Sequence, residues 1–489
     1  DAGQQVLILV PEISLTPQLL ARFERRFAEP ITVLHSGLGN TERLHRWRAV
    51  REGQAKILIG TRSAVFAAMP DLGLIIVDEE HDSSLKQQEG FRYSARDLAV
   101  VRARSLDVPI VMGTATPALE TLNNALSGKY QLLHLRNRAG GALPPTVELI
   151  DLRTEPSHQG LSTRLVDRAT QHLRAGGQVL FFLNRRGFAP TWYCNQCGWM
   201  ADCRHCDARL TYHRNTHSLR CHHCAAVERV PECCPQCDAE LQPVGQGTER
   251  IENELARTFP DFKAARMDRD VVRTREDLER FLDQVNSGEI KILVGTQMLA
   301  KGHHFPNVTL VAILNADQGL FGIDFRSTEK LAQTIVQVAG RAGRADKPGQ
   351  VLIQTSFPEH PLLQTLINDG YEAFTLEALK DREQTRWPPY SHLAMLRVRS
   401  KEQHKTMGFL RAVKQQHAAL AAQHQVTILG PVVAPMARRA GQQHGQLLLQ
   451  SQDRARLNAV LATMCHQLTE APPVSGVRWS LDVDPIELF

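Results

Sequence analysis

Four Cys-x-x-Cys pairs crowd into one stretch of this 489-residue chain: Cys194/Cys197, Cys203/Cys206, Cys221/Cys224 and Cys234/Cys237. With Cys233 they make up nine of the ten cysteines, leaving only Cys465 elsewhere. A disulfide framework spreads its cysteines along a small secreted chain, whereas a tight cluster in a long one points to a metal and a reducing compartment. A Cys-x-x-Cys knuckle lets two thiolates reach one ion, so four pairs are expected to form two closed, structural Zn²⁺ sites. Redox-active thiols are the alternative, but that chemistry uses a single pair at a helix start. Spacing alone does not say which pairs share an ion. Cys233 is a spare thiol beside a ligand, and His222 and His223 read as surface or DNA-facing residues.

The flanking sequence is α/β. Apolar strand-like runs alternate with helical patterns from residue 4 to about 120: QVLILVP, ITVLH, KILIGT, LGLIIVDEEH and PIVMGTATP. That is the βαβ rhythm of a parallel sheet. A second series runs through QVLFFLN (178–184), KAARMD (263–268), KILVGTQ (291–297), VTLVAIL (308–314) and GQVLIQT (349–355). AKILIGTRSA followed by LGLIIVDEE echoes IKILVGTQML followed by VTLVAILNAD, as expected of two copies of one fold. The expected division is a first lobe at 1–137, a Gly/Pro-rich linker at 138–160 and a second lobe at 161–371, interrupted by the cysteine block at 190–242. A smaller α+β domain is expected at 372–489. The net charge of +5 permits nucleic-acid binding without demanding it. No apolar run is long enough to span a membrane, so no membrane partner is expected.

Chemistry concentrates where strands end. Open α/β sheets bind ligands at the carboxyl edge of their strands, and VDEEH (77–81) puts acids there. A carboxylate such as Asp78 can hold Mg²⁺, and its neighbour Glu79 can orient or deprotonate an attacking water. A solvated acidic turn is the bland alternative. GTATP (113–117) ends the next strand and is expected beside the same site. In QVAGRAGR (337–344), Gly340 and Gly343 let backbone pass close to a ligand. On a helix start, Arg341 and Arg344 could both face one phosphate.

DEEH, GTATP, GTQMLAKGHHF and QVAGRAGR, in this order across two α/β repeats, resemble motifs II, III, V and VI of superfamily 2 helicases. With the cysteine insert in the second lobe, the chain resembles the bacterial replication-restart helicases along essentially its whole length. The resemblance implies two RecA-like lobes and an ATP-dependent 3′→5′ DNA helicase that acts at stalled forks and recombination intermediates. It implies that Asp78 holds Mg²⁺, that Glu79 activates water, and that Gln337, Arg341 and Arg344 reach the phosphates of ATP. His81 with Gly113, Thr114, Ala115 and Thr116 would couple nucleotide to DNA. Thr61, Arg62, Thr248, Thr296 and Gln297 would track one DNA strand, by hydroxyls and amides aimed at phosphate oxygens.

The segment KQQEGFRYS (86–94) takes the place of an aromatic-rich loop, whose Phe91 and Tyr93 could stack on bases. It departs from the family in having Leu85 for tyrosine and Phe91 for tryptophan. The resemblance also implies a nested pairing of cysteines, Cys194/Cys197 with Cys234/Cys237 outside and Cys203/Cys206 with Cys221/Cys224 inside. Its implied partners are single-stranded and forked DNA, other primosome proteins, and the acidic tail of single-stranded-DNA-binding protein, with Arg454 the candidate contact. The implied location is the cytoplasm, at the nucleoid. The rivals are a general zinc-containing helicase or translocase and a non-catalytic DNA-binding scaffold.

The scaffold reading exists because no GxxxxGK[ST] loop occurs; the only Gly-Lys is in SGKY (127–130). The chain starts at Asp1 and reads as a piece of something longer, with that loop expected roughly fifteen to thirty residues upstream, one βα crossover away. By itself it is expected to hydrolyse no ATP, and its first sheet to lack a central strand. A block of this size has too little apolar core to fold unaided. Elemental analysis of protein purified without chelator should therefore return two zinc ions per chain, and one or none would refute the assignment of the eight cysteines.

Overall fold

The computed structural model describes residues 3–12, 17–135, 144–183, 191–194, 196–197, 199–208, 210–213, 218–221, 224–244, 248–268, 271–272, 274–300, 305–314, 316–322, 324–343 and 349–488. The first sheet has five parallel strands, β1 (Gln5–Leu9), β2 (Ile31–Leu34), β3 (Ile57–Gly60), β4 (Leu72–Asp78) and β5 (Ile110–Gly113), in the spatial order β2-β3-β1-β4-β5. The strands β1 and β3 read as unbroken apolar runs because both their faces are covered. Leu7, Leu9 and Leu58 pack beneath the helix Ala95–Leu106, while Ile8, Val10 and Ile59 meet Leu19, Leu20 and Phe23 on the other side. That first helix is fixed by sequence at both ends: the Ser94 side chain accepts from the Asp97 N–H, and Asp107 closes it in the left-handed region. Ala95, Ala99 and Ala103, four apart, give it a thin face that lies close on the sheet. Among the described residues β5 is an edge of this sheet, and its Val111 is exposed.

The second sheet is also wholly parallel. Its order is Ala264–Met267, Ile292–Gly295, Gln178–Leu183, Val308–Leu314, Gln350–Thr355 and Thr146–Asp151. Two expected boundaries move. Residues 146–151, assigned to the linker, form the edge strand of this sheet, because TVELID supplies a β-rich run whose amides pair with Gln350–Thr355. The helix Gly370–Thr385, assigned to the C-terminal domain, buries Phe374, Ala378 and Leu379 in the second lobe's core. The C-terminal sheet begins only at His392.

That last sheet is antiparallel, in the order Thr427–Arg439, Gln442–Ser451, His392–Ser400, Arg478–Val483. Alternation along His392–Ser400 sends Ala394, Leu396 and Val398 under the helices Gln403–Gln423 and Arg454–Glu470. It sends Leu393 and Met395 the other way, toward Phe325 and Trp387, whose rings stack at 4.8 Å. The cysteine insert leaves the second lobe after Gln178–Leu183 and is closed by the antiparallel pair Thr191–Cys194 and Leu241–Val244. Its small interior joins Cys203, Cys206 and Cys221 to Ala201, Leu210 and Leu219.

The two lobes meet through both apolar and charged groups. Leu119 and Leu122, from the helix Leu119–Leu126, join the second lobe's core. The buried carboxylate of Glu329 accepts the Leu119 N–H at 3.0 Å and the Arg382 guanidinium at 3.0 Å. Arg382 also donates to the carbonyls of Pro388 at 2.7 Å and Phe325 at 3.0 Å. Truncating one member of such a buried pair strands the other, at about 3–5 kcal/mol. Arg382→Ala should therefore lower stability by about that much in urea unfolding followed by circular dichroism; a change under about 0.5 kcal/mol would place the pair among exposed ones.

Candidate functional site

The carboxyl ends of β4 and β5 lie side by side, Asp78 opposite Gly113. The chain then turns sharply, with Glu79 at φ 48°, a left-handed conformation that a non-glycine residue adopts at a cost. The turn splays four consecutive side chains. Asp78 stays at the strand tip, where burial raises its pKa against the pull of the Glu79 N–H. Glu80 points inward and is buried; its carboxylate accepts from the Ala118 N–H at 2.7 Å, Thr121 Oγ1 at 2.7 Å and Arg96 Nη1 at 3.1 Å. Glu79 and His81 face the second lobe.

His81 is the centre of a cross-lobe relay. Its Nδ1 lies 2.8 Å from Thr114 Oγ1 and its Nε2 lies 2.7 Å from Gln337 Nε2. The Gln337 amide N–H can only donate, so Nε2 is the acceptor and the proton sits on Nδ1, facing Thr114. Gln337 also reaches Glu79 Oε2 at 3.5 Å. Thr114 Oγ1 in turn accepts the Thr116 N–H at 2.9 Å, and the Thr116 carbonyl accepts from Gln333 at 3.4 Å. Three of the four residues in the predicted coupling segment, Gly113, Thr114 and Thr116, are thus joined to the acidic turn or the second lobe. Ala115 is exposed.

The arginine motif sits differently from the expectation. The helix Ser327–Ala339 ends at Gly340, so Gln337 lies in its last turn and Arg341 follows it, at a helix end and not a helix start. Gly340 caps that helix with its N–H on the Val336 carbonyl, and three residues on Gly343 takes φ 68° and bonds the Val308 carbonyl at 3.0 Å. Arg341 is half-buried beside Gln337's helix. Arg344 lies outside the described residues, as do the side chains of Thr248 and Gln297.

The residues expected along the DNA path differ in exposure. Thr61 and Thr296 are buried, and the Thr61 N–H is already bonded to the Leu34 carbonyl at 3.0 Å. Each residue directly follows an interior strand, Ile57–Gly60 or Ile292–Gly295. Arg62 donates to the carbonyls of Ser84 at 3.0 Å and Lys86 at 3.1 Å, which ties down the start of the aromatic loop. In that loop Phe91 is 76% exposed. Tyr93 is half-buried and lies between Phe91 at 5.9 Å and Phe66 at 4.8 Å. Leu85, which stands where the family has tyrosine, is a buried core residue.

The eight paired cysteines gather into two groups, Cys194/Cys197/Cys234/Cys237 and Cys203/Cys206/Cys221/Cys224. Sulfur pairs across them lie at 3.4 Å (Cys194 and Cys237), 3.5 Å (Cys197 and Cys234) and 3.6 Å (Cys203 and Cys224). Zn–S bonds of about 2.3 Å in a tetrahedron put sulfurs about 3.8 Å apart, so both donor sets fit that ion. Arg454 pairs with Asp484 at 2.7 Å and 3.2 Å. It lines a cavity of about 720 Å³ that also meets Lys129, Tyr130 and Lys330, where the two lobes and the C-terminal domain converge.

Sequence reasoning left out Glu80 and the charged cluster behind it. Arg326 reaches Glu120 at 2.5 Å and Glu329 at 3.8 Å, so acids and arginines from both lobes interlock. The third acid of DEEH was a readable signal for Glu80; the others are joined only by folding. No helix among the described residues is long and apolar enough to cross a membrane.

Two parallel-sheet lobes whose facing edges carry an acidic turn and a glycine-arginine motif define a two-lobed helicase core. Residues 1–125 match the DEAD/DEAH box helicase family and 244–346 the helicase conserved C-terminal domain. Residues 203–229 match the PriA DNA helicase Cys-rich region and 383–486 the primosomal protein N C-terminal domain. The chain is 48% identical to replication restart protein PriA of Haemophilus influenzae, over 100% of this chain and 66% of that protein. It is 39% identical to PriA of Treponema pallidum, over 100% of this chain and 73% of that protein, and 39% identical to PriA of Bacillus subtilis, over 99% and 60%. The chain belongs to the PriA family of replication restart proteins. It spans 66% and 60% of the Haemophilus and Bacillus relatives' length.

The interlobe charge cluster has a titration signature. Burial alone would raise the Glu120 carboxyl, but the guanidinium of Arg326, with Arg96 and Arg382 behind it, holds it at about 2. A carboxylate whose folded pKa is depressed adds stability above its unfolded value of about 4.3, and that stability drains away as pH falls toward 2. Glu120→Gln should thus be less stable than the wild type at neutral pH, with the gap closing between about pH 4 and pH 2 in matched denaturation curves. A gap that stays constant with pH would refute the pairing.

Proposed function

We propose that the protein to which these residues belong is an ATP-dependent 3′→5′ DNA helicase that recognises stalled forks and recombination intermediates and starts primosome assembly for replication restart. The observation that supports this most directly is the bond from His81 to Gln337, since it couples the acidic turn of one lobe to the arginine motif of the other. Membership of the PriA family supports the biological setting.

In this reading Asp78 holds the Mg²⁺ of a Mg²⁺–ATP complex; its burial, only partly offset by a backbone N–H, leaves a carboxylate that a cation would stabilise. An ion held there would supply neutralisation of phosphate charge. Glu79 accepts the proton of the attacking water, and its left-handed backbone and the Gln337 contact keep the carboxylate turned into the cleft. His81 holds Thr114, so a shift of Gln337 on lobe closure is passed to the 113–116 segment through a bonded chain. Arg341 and Arg344 stabilise charge on the transferring phosphoryl group from the second lobe. Phe91 and Tyr93 offer ring faces to single-stranded bases. Zn²⁺ at each four-cysteine group, two ions in all, holds the insert together. Arg454 receives a carboxylate of the acidic tail of single-stranded-DNA-binding protein, in competition with Asp484.

In the whole protein, Arg341→Ala should cut DNA-stimulated ATP hydrolysis by about 10³-fold or more, the scale of a lost phosphoryl-stabilising arginine. Binding to a labelled fork should change only a few-fold, because one phosphate contact among many is lost at most. Equal loss of DNA affinity and hydrolysis would move Arg341 from the nucleotide to the DNA surface.

A further inference from the structure

The strands Thr427–Arg439 and Gln442–Ser451 of the C-terminal sheet form a long hairpin, with Arg439 paired to Gln442. Its two-residue turn is Ala440–Gly441, at φ 51° and 71°. Such a turn needs positive φ at both centres, where Asn, Asp and Gly are favoured; alanine pays a steric cost. A strained residue persists where surrounding contacts hold it, and here they come from the cysteine insert.

The contacts are polar and come from consecutive residues. The Ala440 N–H donates to Cys206 Sγ at 3.0 Å, and the Gly441 N–H to the His205 carbonyl at 2.7 Å. On the other side, the Asp207 N–H donates to the Arg438 carbonyl at 2.7 Å, and Asp207 Oδ2 accepts the Arg438 N–H at 2.6 Å. The Arg438 guanidinium lies 3.4 Å from the Asp207 carboxylate. The turn therefore clasps the knuckle that carries Cys203 and Cys206, two of the four thiols of the inner cysteine group.

Cys203 and Cys234 also accept N–H groups, from His205 and Gln236 at 3.4 Å, but those lie within their own knuckles. The Ala440 bond is shorter and crosses from another domain. Four thiolates around a dication carry net negative charge, and an N–H aimed at one sulfur draws some of it off, as outer partners of metal ligands do.

We propose that the turn Arg438–Gly441 is an outer layer of the inner four-cysteine site, so that metal binding there and docking of the C-terminal sheet on the insert are one coupled equilibrium. This rests on the reading that both cysteine groups hold zinc. The C-terminal domain is thereby attached to the second lobe at two places, the Phe325/Trp387 packing and the inner zinc knuckle, and reports its position to the lobe through the metal.

Zinc release from the whole protein, followed with a chromogenic chelator, tests this. The wild type should give two ions, which checks the zinc reading separately. Inserting Gly-Ser-Gly between Ala440 and Gly441 should speed release of one ion by about 10–100-fold, the usual cost of losing an outer partner, and leave the other unchanged. Ala440→Gly keeps the N–H and should release zinc as the wild type does. The reciprocal test needs no variant: limited trypsin cleavage after Arg438 or Arg439 should be slow in zinc-loaded protein and rapid once chelator has removed the metal. Two ions present, with release unchanged by the insertion, or accelerated equally for both, or with trypsin cleavage indifferent to zinc, would overturn the proposal.

Discussion

The carboxylate of Glu329 is nearly sealed from water at the point where the two lobes touch, and the closed arrangement depends on how it is satisfied. One oxygen accepts from the first lobe's backbone at Leu119 and the other from Arg382. A buried carboxylate without partners costs several kcal/mol, so separating the lobes requires that water replace the Leu119 N–H. Water can do this because the cluster borders a cavity rather than a dry core. Charges at a domain boundary thus fix orientation while leaving motion open, where an all-apolar seam would hold lobes together without specifying how.

The same boundary carries the candidate site. Glu80, fastened to Ala118, Thr121 and Arg96, anchors the acidic turn to the helix Leu119–Leu126, whose own N–H meets Glu329. The turn that presents Asp78 and Glu79 and the helix that presents Gln337 are therefore braced against one another through a chain of bonded groups. Displacement at either end has a physical path to the other, which a nucleotide-driven motor requires.

A second path leads to the C-terminal domain. Lys86, at the start of the aromatic loop, is buried against Asp482 at 3.1 Å and the Val483 carbonyl at 2.6 Å. Asp482 also meets Arg397 at 3.3 Å. The loop bearing Phe91 is thus held at its base by both the first lobe, through Arg62, and the C-terminal sheet. Phe91 itself stands exposed above that base.

Much of this was legible in the residues. Unbroken apolar runs alternating with helical patterns identified two parallel sheets, because strands covered on both faces must be apolar throughout. Paired thiols marked the two four-cysteine groups, because each Cys-x-x-Cys knuckle brings two sulfurs to one point. DEEH and QVAGRAGR marked the facing edges, because acids after a buried strand and arginines spaced by glycines are local signals. The strand Thr146–Asp151 and the helix Gly370–Thr385 were misassigned because their allegiance is set by what they pack against, which composition does not record. Arg341 was placed at the wrong end of a helix because a glycine can end one as readily as precede one. The sequence by itself determined the elements, the paired thiols and the acidic turn, all carried by neighbours in the chain. Only the tertiary structure decided which groups meet: His81 with Gln337, Glu329 with Leu119, Lys86 with Asp482 and Ala440 with Cys206. Each of these pairs is separated by more than two hundred residues, and no local pattern encodes a contact that exists only when two finished surfaces come together.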